Sequence, residues 1–226
     1  MSESDKARRL LIVKLKAEGV IRSPEVERAM LIVPREEFIP QEYRRFAYSD
    51  NPLPILKGQT ISAPHMCAMM CEALKMRKGE RVLEVGTGSG YHAALCAEIV
   101  SPTDKPIEGY VVTLEYYKEL AKFAHENLKR TGYDTRVDVI ACDGSMGSPT
   151  RIKYDKILVT AAAPSLPKTL VDQLRNGGRL VIPIGSYLQQ LTLVEKVNNE
   201  IKIKELGGCI FVRLRGQLGF KDETSL

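Results

Sequence analysis

The eight residues Leu83-Glu84-Val85-Gly86-Thr87-Gly88-Ser89-Gly90 constrain this chain more than any other stretch. They follow a short apolar run, Arg81 to Val85, and lead into an alanine-rich apolar segment, so three glycines at alternate positions fall where a buried strand hands over to a helix. Glycine there lets the backbone take positive φ and pass close to a ligand, and the start of the helix offers unbonded N–H groups.

The rest of the chain repeats that alternation. Helices are expected at about 65–76, 90–100, 117–131 and 167–175, and strands at 81–85, 110–114, 136–141, 156–160 and 179–184. Short apolar runs between helices point to parallel strands buried on both faces, an α/β architecture with helices on both sides of the sheet. Residues 189–197 and 200–205 then alternate around Asn198-Asn199, a hairpin signal, and 209–214 reads as another strand, which gives an antiparallel C-terminal edge. Upstream, 5–18 and 24–31 read as two short helices, the second announced by Ser23-Pro24. Residues 47–64 carry three prolines and one glycine without helical periodicity, a long specified loop of the kind that carries function. With 226 residues the expectation is one domain. It comprises an N-terminal helical extension (1–46), an active-site loop (47–65), a core (66–185), and C-terminal strands and tail (186–226).

Composition excludes several classes. The excess of Lys and Arg over Asp and Glu is 33 to 28, spread without a basic block, and aromatics are 6% with no Trp, a poor footprint for nucleic acid. No apolar stretch approaches the roughly 20 residues of a membrane span, and the first apolar segment is broken by Lys14 and Lys16, so neither membrane insertion nor export is expected. Five cysteines, 67, 71, 96, 142 and 209, form no C-x-x-C and cannot all pair, which reads as reduced thiols in a cytoplasmic protein. Cys67 and Cys71 lie four apart on an expected helix, but none of the three histidines is at zinc-ligand spacing, and no metal is expected.

Acids at successive strand ends narrow the ligand. Glu115 ends the second core strand, where a carboxylate accepts both ribose hydroxyls of an adenosine, and Asp143 follows the third, placed for the exocyclic amine of adenine. Glu84, two residues before Gly86, would repel a pyrophosphate and suits a cationic amino-acid group. Together they fit S-adenosylmethionine better than a nicotinamide dinucleotide.

Four segments extend the pattern: Val33 to Pro40 (VPREEFIP), Tyr48 to Ile55 (YSDNPLPI), Gly58 to His65 (GQTISAPH) and the glycine turn. With Asp143-Gly144, Tyr154 to Pro164 (YDKILVTAAAP) and Gly177 to Gly185 (GGRLVIPIG), the chain resembles the protein-L-isoaspartate (D-aspartate) O-methyltransferase family over roughly residues 24 to 216. The resemblance implies a Rossmann-like class I methyltransferase fold and S-adenosylmethionine as cofactor. The implied activity is repair of damaged proteins, by methylation of the free carboxylate of L-isoaspartyl and D-aspartyl residues; the ester then cyclises unaided to a succinimide that hydrolyses partly to aspartate. It implies Ser62 as the active-site serine, with Thr60 beside it. Cofactor contacts are implied at Gln59, Thr60, Ile61, Ser62, His65, Glu84, Gly86, Ser89, Glu115, Asp143 and Gly144, with Thr87, Gly88 and Gly90 completing the turn. Backbone groups at Ala161, Ala162, Ala163 and Val212 are expected to clamp the substrate. Leu56-Lys57, Cys142 and Arg213 depart from the family pattern, and Arg213, in place of a frequent proline, bears on peptide preference.

The chemistry agrees with the residues present. A carboxylate with an unperturbed pKa of about 4 is already an ionised nucleophile at neutral pH, so no general base is required. No Ser/His/Asp constellation or carboxylate pair occurs around 59–65. Hydroxyls at Ser62 and Thr60 can orient one carboxylate oxygen without a full opposing charge. Two other readings share the glycine turn: a class I methyltransferase acting on RNA or a small molecule, and a non-catalytic S-adenosylmethionine-binding module.

Overall fold

The computed structural model describes residues 2–150 and 152–221. Helix α1 (Glu3–Ala17) opens with a capping box, in which the Ser2 hydroxyl accepts from the Asp5 N–H and the Asp5 carboxylate accepts from the Ser2 N–H. Helix α2 (Pro24–Ile32) starts on Ser23, whose hydroxyl accepts from the Val26 N–H. The loop expected over 47–64 contains a two-residue pairing of β1 (Leu53–Pro54) with β2 (Thr60–Ile61) and leads into α3 (Pro64–Leu74).

The main elements then follow as β3 (Arg81–Val85), α4 (Tyr91–Val100), β4 (Tyr110–Glu115), α5 (Lys118–Arg130), β5 (Val137–Ala141), β6 (Tyr154–Val159), α6 (Lys168–Gln173), β7 (Leu174–Ile184), β8 (Gln189–Val197) and β9 (Glu200–Cys209). Seven of these strands form one sheet in the order β5-β4-β3-β6-β7-β8-β9. Pairing from β5 to β7 is parallel, and β8 and β9 add antiparallel. The order reverses at β3, whose neighbours β4 and β6 carry the chain away in opposite directions and leave a crevice beyond their carboxyl ends.

Alternation splits the strands between two cores. Val82, Val111, Val137, Leu158 and Val181 face the larger one with residues of α1 to α5. Leu83, Val112, Ile157 and Leu180 face a smaller one closed by Leu170 of α6, Ala161, Ala163 and Leu214. Helix α4 is buried along its whole length, which its alanines and short apolar side chains permit.

One expected strand differs. The 209–214 segment is not a sheet strand: the ladder stops at Cys209, because the Gln189 side chain takes both backbone groups of Phe211, accepting from its N–H at 2.6 Å and donating to its carbonyl at 3.0 Å. The segment crosses instead to Ala162, against which Arg213 forms an isolated parallel bridge.

Candidate active site

The glycine turn takes the conformation its composition allows, with φ of +96° at Gly86, +54° at Gly88 and +88° at Gly90. Thr160, at the end of β6, holds the bend: its hydroxyl donates to the Gly86 carbonyl at 2.5 Å, and a Cβ on Gly86 would lie 2.4 Å from that oxygen. Sequence reasoning passed over Thr160, although it stands in the quoted Thr-Ala-Ala-Ala-Pro run.

Two connected hollows flank the turn. One is lined by Gln59, Thr60, Gly86, Gly88, Glu115, Tyr116, Gly144, Thr160, Ala161 and the 212–215 segment. The other is lined by Thr60, Ile61, Ser62, Cys67, Gly86 to Ser89, Tyr91, His92 and Thr160. They share Thr60, Gly86, Gly88 and Thr160, so one cleft runs from Glu115 to Ser62 across the bend.

At one end Glu115 is buried, and each of its oxygens accepts one backbone N–H, from Gly88 at 2.9 Å and from Tyr117 at 3.0 Å. A carboxylate oxygen has room for a second donor, so both remain able to accept from a ligand. Burial raises the Glu115 carboxyl above its ordinary range, against the pull of those amides.

Beneath the bend Glu84 is fully enclosed; its Oε2 accepts from the Thr113 hydroxyl at 2.6 Å, which is itself 2.6 Å from the Thr87 hydroxyl, while Oε1 has no partner. Burial pushes its carboxyl up to about 7. Glu84 itself lines neither hollow, and its Oε1 is a buried acceptor without a donor.

At the other end, neither the Ser62 nor the Thr60 hydroxyl is bonded to another group among the described residues. Their loop is pinned twice. Asp50 accepts from the backbone N–H of His65 and pairs with its Nδ1, both at 2.9 Å, and Lys57, in the left-handed region at φ +59°, pairs with Glu119 of α5 at 2.6 Å. His65 therefore anchors the loop and lines neither hollow. Ile55 reaches across to within 3.4 Å of where a Cβ on Gly88 would lie.

Asp143 is more committed than its position in the sequence suggests. Its Oδ1 accepts from the N–H and hydroxyl of Ser145, and its Oδ2 from the N–H of Gln217 at 2.7 Å. Gly216 packs so closely that a Cβ there would overlap the carboxylate. Ala162 and Ala163 are likewise engaged: Ala162 bonds Val212 and Leu214, and Ala163 bonds Pro183 and Gly185. Arg213, which lines the cleft, lays its guanidinium over the Phe220 ring at 5.4 Å.

A larger hollow of about 680 Å³ lies between α3 and the β7–β9 edge, but both of its carboxylates are already partnered. Arg179 pairs with Glu195, and Glu72 accepts from the Arg22 and Ser23 amides.

The sequence profile of the protein-L-isoaspartate(D-aspartate) O-methyltransferase family matches residues 6–219. The chain belongs to that family. A protein-L-isoaspartate O-methyltransferase of Methanopyrus kandleri is 52% identical over the whole of both chains, and one of Hyperthermus butylicus is 54% identical over 96% of this chain and 91% of its own. Among solved structures, a Plasmodium falciparum protein-L-isoaspartate O-methyltransferase in complex with S-adenosyl-L-homocysteine superposes with a TM-score of 0.82 at 32% identity, covering 92% of this chain and 98% of that one. Within this methyltransferase the fold also joins residues that no spacing in the sequence suggested: Cys71 of α3 with His92 and Cys96 of α4, all buried.

Proposed function

We propose that this methyltransferase repairs proteins by transferring the methyl group of S-adenosylmethionine to the free carboxylate of L-isoaspartyl and D-aspartyl residues. The observation that carries the reading is the pair of unspent hydroxyls, Ser62 and Thr60, on the lip of a cleft in which, among the described residues, no side chain is poised as a general base. Glu115 is held by amides, and the near-face His92 turns its Nε2 to the Cys71 sulfur.

The cofactor's binding groups are Glu115 for the ribose hydroxyls, Gly86 to Gly90 for close backbone approach, Glu84 beneath the bend for the amino-acid cation, and Gln59 to Ser62 as the opposite wall. Bound there, S-adenosylmethionine supplies the electrophilic methyl group. The chain's own contribution is aim: a neutral hydroxyl donates one hydrogen bond to an acceptor carboxylate and leaves its other oxygen free, which a lysine would quench by close pairing. Asp143 serves chiefly by fastening residues 216–218 over Gly144, with one lone pair of Oδ2 left for an adenine amine. Because Ala162 and Ala163 are engaged, and the Val212 carbonyl accepts from Ala162, the substrate backbone falls to Ala161 and the Val212 N–H. Five unpaired cysteines and the absence of a helix able to cross a membrane among the described residues support a cytoplasmic setting.

The deciding experiment supplies methyl-labelled S-adenosylmethionine with an isoaspartyl peptide and its aspartyl twin. Base-labile label on the first alone is expected; equal labelling of both, or of neither, overturns the proposal.

A further inference from the structure

The core under the cleft holds donor atoms that methyl transfer does not use. Cys71, His92 and Cys96 each offer one, and the three atoms lie within 4.8 Å of one another. His92 Nε2 is 3.4 Å from Cys71 Sγ. Cys67, one turn before Cys71, is also buried, but its sulfur is turned to the Ser62 carbonyl oxygen at 3.8 Å and stands outside that group.

Three atoms no more than 4.8 Å apart are all within about 2.8 Å of a common point, against Zn–S and Zn–N bonds of about 2.3 and 2.0–2.1 Å. Contraction by about half an ångström makes a binding site. A tetrahedron built on those bonds has an S···N edge of about 3.6 Å, close to the separation of Cys71 and His92.

Small thiols are ordinary core filler, but His92 is not explained that way. It is buried, and its Nδ1 has no hydrogen-bond partner. A ring nitrogen left so is costly, and an apolar residue would avoid the cost. A metal on Nε2 would leave the proton on Nδ1.

We propose that Cys71, His92 and Cys96 form a three-donor binding site for a thiophilic d10 cation, Zn2+ foremost, with the fourth position left to a water or other small ligand. Binding exchanges S–H bonds for S–metal bonds and releases the protons to solvent; no electron changes hands, and no oxidant is needed. The site joins α3, which begins just after the Ser62 segment, to α4, which begins at the glycine turn, and so it ties the two walls of the cleft together from below. It does not depend on the methyl-transfer reading.

The test uses the full chain, stripped with a chelator under reducing conditions and titrated with Co2+. Expected are saturation at one equivalent, a thiolate-to-cobalt charge-transfer band with tetrahedral d–d absorption, and one-for-one displacement by Zn2+. Cys96→Ser should weaken uptake at least tenfold, while Cys209→Ser, in the β9 edge, leaves it unchanged. Absence of the charge-transfer band in the unmodified protein overturns the proposal whether or not any variant folds, as does full uptake by Cys96→Ser, or a Cys71–Cys96 disulfide in the protein as isolated. None of these readouts is turnover, so their failure leaves the methyl-transfer reading standing, and an inactive protein that binds cobalt this way still supports the site.

Discussion

Thr60 and Ser62 stand two apart on an extended segment, so they share a face while Ile61 between them points into the core, where it is 5% exposed. That parity presents both hydroxyls to the cleft and anchors them through a buried neighbour. Removing the Ser62 hydroxyl deletes one hydrogen bond to a charged group, about 1.5–3 kcal/mol, so Ser62→Ala should lower kcat roughly 10- to 150-fold. Cofactor affinity measured by calorimetry should change little; a dominant loss of cofactor binding would assign the hydroxyl to the wrong ligand. The reverse holds for Glu115→Ala, which removes the acceptor for the ribose: cofactor binding should weaken by a similar factor, and an unchanged Kd would contradict the role.

Helix α3 begins at Pro64 with Ala63 at its cap, a residue whose side chain cannot accept a hydrogen bond. Asp50, fifteen residues earlier, performs that service by accepting the His65 N–H. Asp50→Ala should therefore cost about 1 kcal/mol, a fall of about 2–4 °C in Tm by calorimetry, and should raise KM for an isoaspartyl peptide because the loop loses a pin. Asp50→Asn, which keeps an acceptor, should recover most of the Tm. This capping was not legible in the sequence, since it joins a turn to a distant helix. Strands β3, β4, β6 and the second half of β7 were legible because burial on both faces makes them largely apolar runs. The 209–214 segment is as apolar as a strand, yet one glutamine side chain ends its ladder, and no pattern within the segment records that. Glu115 and the glycines of the cleft, and Glu84 beneath it, were readable from their places at strand ends. Thr160, and the meeting of His92 with Cys71, depend on how neighbouring elements pack.

Two enclosed carboxylates give the whole molecule a pH signature. Glu84, raised by burial to about 7, keeps a proton in the folded state that the unfolded chain has released above its ordinary value of 4.5, and Glu115 is raised in the same direction. Stability of the cofactor-free, metal-free protein should therefore decline as pH rises between about 4.5 and 7 and level off above, by an amount on the order of 3 kcal/mol from Glu84. Thermal unfolding across that range should show the slope, and Glu84→Gln should flatten it; an equally steep slope in the variant would refute the assignment. The loop that carries Ser62 is clamped on itself by Asp50 and His65 and touches the nucleoside-holding half of the cleft through discrete pins, Lys57 to Glu119 and Ile55 over Gly88. The chemistry is thus modular: a foreign 47–65 insert that preserved the internal clamp and those two points would inherit the methyl donor unchanged and choose its own acceptor, which gives one scaffold a short route to new substrates.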